Sequence, residues 1–340
     1  MRKTILFLLI SIIIIFADGT IIPSANYNQE IYSYDQIAVI KHFEGVEELN
    51  LLVKTYLYQS AAWIIPLPTS PAISEVNTDL FLDLAEMSKP VYPNQPGYDY
   101  NCGGYYGPTE ETRGGEDYFI IEQAHVYGFL TTVVINTNLA DSLRNWLSNN
   151  GYLVNDTVID LFQEYIAKNW NHFFCARTID TVAYDRNSLG VKLVFNSENP
   201  VFPLKISRAN YNTSYYYPGL FLYVITTNKM TFTDSKLLYA NKVNAKELKE
   251  IQKDFPDLGN YLKADYYLTK LFKEYQSATE LEDITLDKAK DDKEYRELYS
   301  SRYQYYGMGI PIFPFFLFFI LLIMKGYYLL KQRQKLNPKQ

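Results

Sequence analysis

The sequence contains little cysteine and histidine, and it has no local excess of positive charge outside its ends. Among 340 residues there are two cysteines and three histidines, and 32 Lys and Arg residues stand against 38 Asp and Glu. Seven of those basic residues lie in segments 1–17 and 307–340, which contain no acid, so residues 18–306 carry a net charge of −13. Such a surface repels phosphate backbones, and this excludes nucleic-acid binding.

Motifs of several enzyme classes are also absent. The three histidines, His42, His125 and His172, lie far apart and form no metal-binding spacing, and the chain has no Gly-x-Ser-x-Gly elbow and no phosphate-binding Gly-rich loop. These absences argue against a zinc site, serine esterase chemistry and nucleotide hydrolysis. We therefore expect no metal ion and no cofactor.

Two sets of residues remain as candidates for catalysis. Glu116 and Asp117, near Glu110 and Glu111, could pair as the carboxylates of a hydrolase or hold calcium, although a solvated acidic loop is the simpler interpretation. His125 is the histidine expected nearest a turn, where it could act as a general base. A structural role is favoured for it too, since a general base needs a positioned partner.

The only long apolar run near the N-terminus predicts a secretory signal. Arg2 and Lys3 precede an apolar stretch at Ile5–Phe16, and Ala17 follows it. This order is typical of a signal peptide spanning residues 1–17 with cleavage after Ala17. An uncleaved N-terminal anchor remains an alternative, because Ile15 is not the small residue preferred near a cleavage site.

The apolar run near the C-terminus predicts a membrane anchor. Residues 307–330 are almost uncharged, and 21 residues of helix would span roughly 30 Å, the thickness of the hydrocarbon core. Every charge in the tail 331–340 is positive, so the tail is predicted to be cytoplasmic and residues 18–306 to lie outside the cell membrane. A buried core helix and a removable sorting signal are the alternatives.

The two cysteines are predicted to form one disulfide. An even cysteine number in an oxidising compartment favours a bridge between Cys102 and Cys175. Alternatively, Cys175 is a small buried apolar residue within a strand.

Strand and helix patterns predict an α+β domain over residues 18–240 with a mainly antiparallel sheet. Three successive antiparallel strands are expected first, a helical hairpin packed on the sheet next, and four more strands last. The predicted strands are 37–43, 49–57, 61–67, 118–121, 126–135, 172–182, 190–195, 201–207 and 219–227, and the predicted helices are 78–87, 138–151 and one from Val158. Charged helical patterns at 244–255, 258–275 and 287–303 then predict a helical stalk or subdomain over residues 241–306.

A long loop without apolar periodicity runs from Lys89 to Gly115 and is rich in proline, glycine and tyrosine. Loops of this length are usually functional or disordered. Exposed tyrosines bind sugars, peptides and protein partners, so this loop is the first candidate interaction surface. Compositional bias is the alternative, since the whole chain contains 32 tyrosines.

Several segments carry a resemblance to a known family. Residues 17–19, Ala-Asp-Gly, and residues 61–68, Ala-Ala-Trp-Ile-Ile-Pro-Leu-Pro, together with 145–152, 198–207 and 220–225, resemble a bacterial family of uncharacterised exported proteins, a domain of unknown function with an Ala-Trp-aliphatic-Pro-aliphatic-Pro signature. The resemblance implies an exported, often membrane-anchored domain without known activity, cofactor or catalytic residues. No functional residue can be transferred from it.

These observations predict a single-pass membrane protein whose outer part is a non-catalytic interaction or ligand-binding module of the cell envelope. The expected partners are the membrane and an envelope protein or a carbohydrate. The alternative is an extracytoplasmic hydrolase that uses the Glu116 and Asp117 carboxylates or His125.

Overall fold

The computed structural model describes residues 19–25, 36–53, 61–91, 120–124, 129–178, 189–210 and 219–298. The described residues up to Glu297 belong to one compact unit, and Leu298 begins a second unit. The predicted signal peptide (1–17), transmembrane helix (307–330) and basic tail (331–340) lie outside the described residues and stay predictions. Within the described ranges, no helix has the length and apolarity needed to cross a membrane.

The described chain is richer in strand than in helix. The strands are β1 (Thr20–Pro23), β2 (Gln36–Phe43), β3 (Val46–Val53), β4 (Ala61–Leu67), β5 (Ala72–Glu75), β6 (Ile120–Ala124), β7 (Phe129–Asn136), β8 (His172–Thr178), β9 (Leu189–Asn196), β10 (Val201–Phe202), β11 (Gly219–Thr226), β12 (Met230–Thr231), β13 (Lys236–Lys242), β14 (Tyr267–Glu274), β15 (Ile284–Thr285), β16 (Asp287–Lys288) and β17 (Tyr295–Arg296). The α-helices are α1 (Asp79–Met87), α2 (Ala140–Asn149), α3 (Asp156–Ala167), α4 (Ala245–Asp254) and α5 (Pro256–Tyr261), and 3₁₀ helices lie at Lys205–Asn210 and Ala278–Glu280.

Two large sheets organise the unit. A five-stranded sheet has the order β1-β4-β8-β7-β6, and an eight-stranded sheet has the order β17-β13-β14-β11-β2-β3-β9-β5. Two short pairs, β10-β15 and β12-β16, complete the pairing among the described strands. Within the same residues β2 and β11 run parallel and every other pairing is antiparallel, which confirms the predicted α+β class with mainly antiparallel sheets.

The two sheets pack face to face and form the largest core. Because side chains alternate along a strand, Trp63 and Ile65 of β4 point toward the eight-stranded sheet, where they share a cluster with Leu49, Leu193 and Leu222. Trp63 is wholly buried, and its ring lies 5.7 Å from that of Phe174 in an edge-to-face arrangement. The inter-sheet layer therefore depends on β4, every residue of which is buried.

Helices cover the outer face of each sheet, so the unit has four layers: helix, sheet, sheet, helix. Helices α2 and α3 pack on the five-stranded sheet through a shared cluster: Ile64, Val133, Leu143, Leu147, Val158, Phe162, Tyr165 and Phe173. Helices α1, α4 and α5 pack on the eight-stranded sheet through another: Val39, Leu80, Leu84, Tyr223, Ile225, Ile251, Leu258 and Leu268. The predicted helical hairpin packed on a sheet is thus confirmed.

The ends of the hairpin helices follow local hydrogen-bonding rules. The N-cap residue of α2 is Leu139, one position after the predicted cap Asn138, and the Leu139 N–H donates to Oγ1 of Thr137 at 3.1 Å. Asn155 caps α3, since its Oδ1 accepts from the N–H of Val158 at 2.9 Å. Gly151 ends the α2 segment with a φ of +83°, the left-handed conformation that was predicted for it.

The helical pattern predicted after residue 244 is correct only in its first part. Helix α4 begins with a capping box between Asn244 and Glu247, as predicted. The predicted helix 258–275 is wrong, because α5 ends at Tyr261 and residues 267–274 form β14 between β13 and β11. Leu268 of β14 faces the helices and Leu271 faces the other sheet, so burial on both faces produced an apolar spacing that resembles a helix.

Three further expectations need correction. Strands β2 and β3 pair as predicted, but β4 leaves them and joins β1 and β8 in the other sheet. The strand predicted at 201–207 stops at Phe202, because Pro203 has no N–H to donate and a 3₁₀ helix follows. The helix predicted at 287–303 is replaced, as far as Leu298, by the short strands β16 and β17.

Candidate functional site

Most residues that the sequence singled out for chemistry lie outside the described residues. These are Cys102, Glu116, Asp117 and His125, and the loop predicted at 89–115 is described only as far as Val91. The carboxylate pair, the histidine and the disulfide therefore stay predictions.

Cys175 is described and lies in the layer between the five-stranded sheet and its helices. Its side chain is 3% exposed, and its Sγ atom lies 3.7 Å from the carbonyl oxygen of Phe173. Burial raises the pKa of this thiol, so in its described surroundings the sulfur is a poor nucleophile.

The two described histidines have structural surroundings, one in a hydrogen bond to the backbone and the other at the half-buried start of a strand. Nε2 of His42 donates to the carbonyl oxygen of Ser197 at 2.8 Å. His172 begins β8 half-buried, its Nδ1 has no hydrogen-bond partner among the described residues, and burial lowers its pKa to about 4. In the described ranges no group of His, Cys, Asp or Glu side chains is arranged to hold a metal ion.

The densest group of charged side chains surrounds Asp283, and we name it the Asp283 cluster: Glu164, Tyr165, Lys168, Lys205, Arg208, Glu282 and Asp283. Oδ1 of Asp283 accepts hydrogen bonds from the Tyr165 hydroxyl at 2.5 Å and from the backbone N–H of Lys205 at 3.0 Å. Oδ2 accepts from the ammonium group of Lys168. Both carboxylate oxygens are therefore occupied by donors from α3 and from the 3₁₀ helix 205–210.

Lys168 lies between two aromatic rings as well as beside this carboxylate. Its Nζ atom is 4.1 Å from the ring centre of Tyr165 and 3.8 Å from that of Trp170, distances that allow cation–π attraction. Burial lowers the pKa of Lys168, and the charge of Asp283 opposes that change. Three neighbours thus hold this ammonium group in place.

The rim of the Asp283 cluster is a set of ion pairs that join the same elements. Nζ of Lys205 lies 2.6 Å from Glu164 and 3.1 Å from Glu282. Arg208 pairs with Glu282 and donates to the carbonyl oxygen of Leu281 at 2.8 Å. The cluster therefore fastens α3 and the 3₁₀ helix to the segment around residues 279–283.

A second polar group fastens α5 to the eight-stranded sheet. The wholly buried Asn50 donates from Nδ2 to the Tyr261 hydroxyl at 2.6 Å and to the carbonyl oxygen of Val39 at 3.3 Å. Lys41 lies 4.5 Å from the ring centre of Tyr261 and 3.6 Å from Glu48. Burial raises the pKa of Tyr261, so its hydroxyl stays neutral and structural.

Three carboxylates meet at the junction of α1 and α5. The pKa of Asp83 is raised to about 6, mainly by burial and also by the charges of Asp257 and Asp79, while the N–H of Leu258, 3.3 Å from Oδ2, opposes the change. Burial and the charge of Asp79 also raise the pKa of Asp257. Burial and the mutual repulsion of these carboxylates therefore raise their pKa values, and they form no metal site among the described residues.

The chain that leads into the tyrosine-rich segment is fixed by backbone contacts. Arg296 donates to the carbonyl oxygens of Lys89 at 2.9 Å and Met87 at 2.7 Å. The N–H of Val91 donates to the carbonyl oxygen of Glu297 at 3.1 Å. The start of the predicted interaction loop is therefore held against the β17 edge of the eight-stranded sheet.

Sequence reasoning found none of the groups that the structure brings together. Asp283 and Tyr165 are separated by 118 residues, and nothing local marks them as partners. Glu47 had a usable signal, since it occupies an inward position of β3 in step with Leu49 and Leu51. An acid at such a position is unusual and could have been noted.

Comparisons with known proteins give one match in sequence and several distant likenesses in structure. A family model described as an uncharacterised protein conserved in bacteria, DUF2330, matches residues 25–287. No curated protein matches the sequence.

Solved structures that resemble the chain include forms of baculovirus P35. A mutated P35 after caspase cleavage has a TM-score of 0.38 and 11% identity over 77% of this chain and 100% of that chain. Baculovirus P35 itself has a TM-score of 0.35 and 9% identity, covering 84% of this chain and 100% of that one. P35 in its complex with caspase-8 has a TM-score of 0.36 and 8% identity, covering 78% and 99%. Likenesses this distant carry no argument about fold or function.

Proposed function

We propose a role for this chain from its own residues, because it belongs to the DUF2330 family of uncharacterised bacterial proteins. Membership of this family confirms the resemblance seen in the sequence. The proposed role is that of a membrane-anchored module on the outer side of the cell membrane that binds an envelope protein or a carbohydrate without transforming it. The family assigns no activity that would decide between binding and catalysis.

The membrane anchor is supported by the two apolar ends of the sequence. Residues 1–17 have the order of a secretory signal, and residues 307–330 have the length and composition of a membrane-spanning helix followed by a basic tail. With both ends as proposed, the four-layer unit lies outside the membrane.

The hydrogen bonds to the Asp283 carboxylate are the observation that favours a binding role over a catalytic one. This carboxylate lies within a group of charged side chains, yet both its oxygens are engaged by Tyr165, Lys168 and the backbone of Lys205. A general base or nucleophile needs a free position facing substrate, and neither oxygen offers one. The tyrosine-rich segment that begins after Val91 supplies the proposed binding surface.

Two sets of alanine variants of the full chain, purified in detergent, distinguish a binding function from hydrolysis. One set replaces Tyr98, Tyr100, Tyr105 and Tyr106, and the other replaces Glu116, Asp117 and His125. Native mass spectrometry, compared with the denatured mass, detects any ligand that copurifies. We expect the tyrosine variant to lose that ligand and the second variant to keep it. A ligand that accumulates only in the Glu116, Asp117 and His125 variant would indicate a trapped substrate and would favour the hydrolase.

The anchor is tested by truncation followed by cell fractionation. Removal of residues 307–340 should move the protein from the membrane fraction to the soluble extracytoplasmic fraction. Removal of residues 1–17 should leave it in the cytoplasm. The proposed topology fails if the first truncation stays in the membrane fraction or if the second is still exported.

A further inference from the structure

Glu47 is an acid enclosed in the apolar layer between the two sheets. Its side chain is 0% exposed and lies on the same face of β3 as Leu49 and Leu51, which pack in the inter-sheet cluster. Oε2 accepts a hydrogen bond from the backbone N–H of Val201 at 2.8 Å, and Oε1 has no partner among the described residues. A carboxyl group in such surroundings is strongly disfavoured in its charged form.

The bond to Val201 is one of three that hold the turn 197–201 on the β2–β3 hairpin. The N–H of Ser197 donates to the carbonyl oxygen of Gly45 at 2.9 Å, and His42 donates to the carbonyl oxygen of Ser197 at 2.8 Å. Glu47 supplies the third bond, at the far end of the turn. Its side chain therefore fixes the N–H of Val201 against β3.

Through the Val201 N–H, Glu47 holds β10, the short strand with which the C-terminal part of the unit pairs. Val201 and Phe202 form β10, which pairs with Thr285 and Ile284 of β15. The N–H of Leu286 donates to the carbonyl oxygen of Pro200 at 3.0 Å. We name residues 281–297 the strap, because this segment also carries Asp283, β16 and β17 across the unit.

The groups around Glu47 offer it little compensation when it is charged. In the strand register His42 of β2 and Phe195 of β9 lie opposite it, and no ion pair reaches Glu47 among the described residues. Glu48 lies on the other face of β3, beside Lys41. Burial raises the pKa of Glu47 well above its usual range, and the Val201 N–H only partly opposes this.

We propose that Glu47 is a proton-operated latch, which in its neutral form keeps the turn 197–201 and the strap docked and in its ionised form releases both. The charge can be solvated only if water reaches Oε1, and water enters this apolar layer only if the turn moves away from β3. The latch is independent of the proposed envelope function, since it concerns how the unit responds to pH.

Hydrogen exchange of the full chain tests the latch directly, because the Val201 N–H is itself donated to Glu47. We expect protection of peptides covering 197–202 and 283–288, corrected for intrinsic exchange, to fall at least about tenfold in wild type between about pH 5 and pH 9. Glu47→Gln keeps the acceptor for Val201 and removes the charge, so its protection should change less than about twofold. Glu48→Gln is the matched control on the opposite face of the same strand and should behave as wild type.

A wild-type protection that does not change with pH would overturn the latch, and so would a parallel loss in Glu47→Gln. If Glu47→Gln does not fold, wild type alone decides the question by ¹³C NMR of its glutamate carboxyl carbons. One glutamate should titrate far above the others, at the pH where protection of 197–202 is lost. Loss of protection without any such titration contradicts the proposal.

Discussion

The hydroxyl of Tyr165 lies 2.5 Å from Oδ1 of Asp283 and 3.0 Å from the backbone nitrogen of Ile206, so it donates to the first and accepts from the second. Tyr165 is wholly buried. This one oxygen links α3, the 3₁₀ helix and the strap, which are far apart in sequence.

Tyr165→Phe should therefore lower the free energy of unfolding by about 2 kcal/mol. The substitution keeps the ring but leaves the buried Ile206 N–H unpaired and removes a donor from a charged carboxylate. Denaturant unfolding of the full chain, followed by tryptophan fluorescence, measures the change, because Trp63 in the inter-sheet core reports on folding.

Tyr223→Phe is the control for this loss, since the Tyr223 hydroxyl makes one long contact, 3.4 Å from Oγ of Ser88. Its cost should stay below about 1 kcal/mol. A double-mutant cycle with Asp283→Asn should give a coupling energy above about 0.5 kcal/mol. Equal effects of the two Tyr substitutions, with no coupling, would mean that the Asp283 cluster contributes nothing specific to stability.

The sequence contains enough to predict the elements that bury a single face. Helices α2 and α3 show one apolar stripe each, and the predicted hairpin on a sheet is what the structure has. The capping box at Asn244 likewise depends only on neighbouring residues. Such local signals do not depend on the rest of the fold.

The rest of the fold depends on contacts that local patterns do not contain. Strands β4 and β14 are buried on both faces, so neither alternation nor strand order could be read from their apolar residues. The contacts of Tyr165 with Asp283 and of Glu47 with Val201 join partners more than one hundred positions apart. Sequence periodicity carries no information about such pairs.

Gly19 is predicted to tolerate no side chain. Its φ is +101°, and a Cβ atom would lie 2.6 Å from the carbonyl oxygen of Ile64 and 2.8 Å from Nε1 of Trp63. Gly19→Ala combines left-handed strain with a backbone clash at the start of β1, and it should cost about 3 kcal/mol or prevent folding. Expression yield and denaturant unfolding measure the effect.

Gly151→Ala separates these two causes, because Gly151 has a φ of +83° with open space around its missing Cβ. Conformational strain alone should cost it about 1 kcal/mol. If Gly19→Ala were as mild as Gly151→Ala, the close approach of β1 to Trp63 would not constrain the fold.

Asp83→Asn should make the protein more stable than wild type, by a difference in the free energy of unfolding that grows as the pH rises. The pKa of Asp83 is raised to about 6, mainly by burial, so the folded state holds its proton more tightly than the unfolded state does. Stability from this group is complete below the unfolded pKa near 4 and is lost as the pH rises through about 6. Asn removes the charge and still accepts from the Leu258 N–H. The gain over wild type should reach about 1 kcal/mol at pH 8 and vanish near pH 4, measured by denaturant unfolding.

Asp141→Asn is the control for Asp83→Asn, since Asp141 is also a helix aspartate but is exposed. It should give no gain at pH 8. A gain of the same size in both variants would point to general relief of the protein's negative charge and not to the burial of Asp83.

His172 should affect the free energy of unfolding at acidic pH, at the opposite end of the range from Asp83. Burial lowers its pKa to about 4, so the unfolded chain binds a proton near its ordinary pKa of about 6.5 while the folded chain does not. Stability from neutral His172 is complete above about pH 6.5 and is lost as the pH falls toward about 4, by about 1 kcal/mol after allowance for its partial exposure. His172→Gln and His172→Phe both remove this titration, one keeping a polar group and the other an apolar ring. Thermal unfolding between about pH 4 and pH 7 should show a shallower acid loss in both variants. If both variants lose stability as steeply as wild type, then the imidazole is not kept neutral by the fold and other groups cause the acid sensitivity.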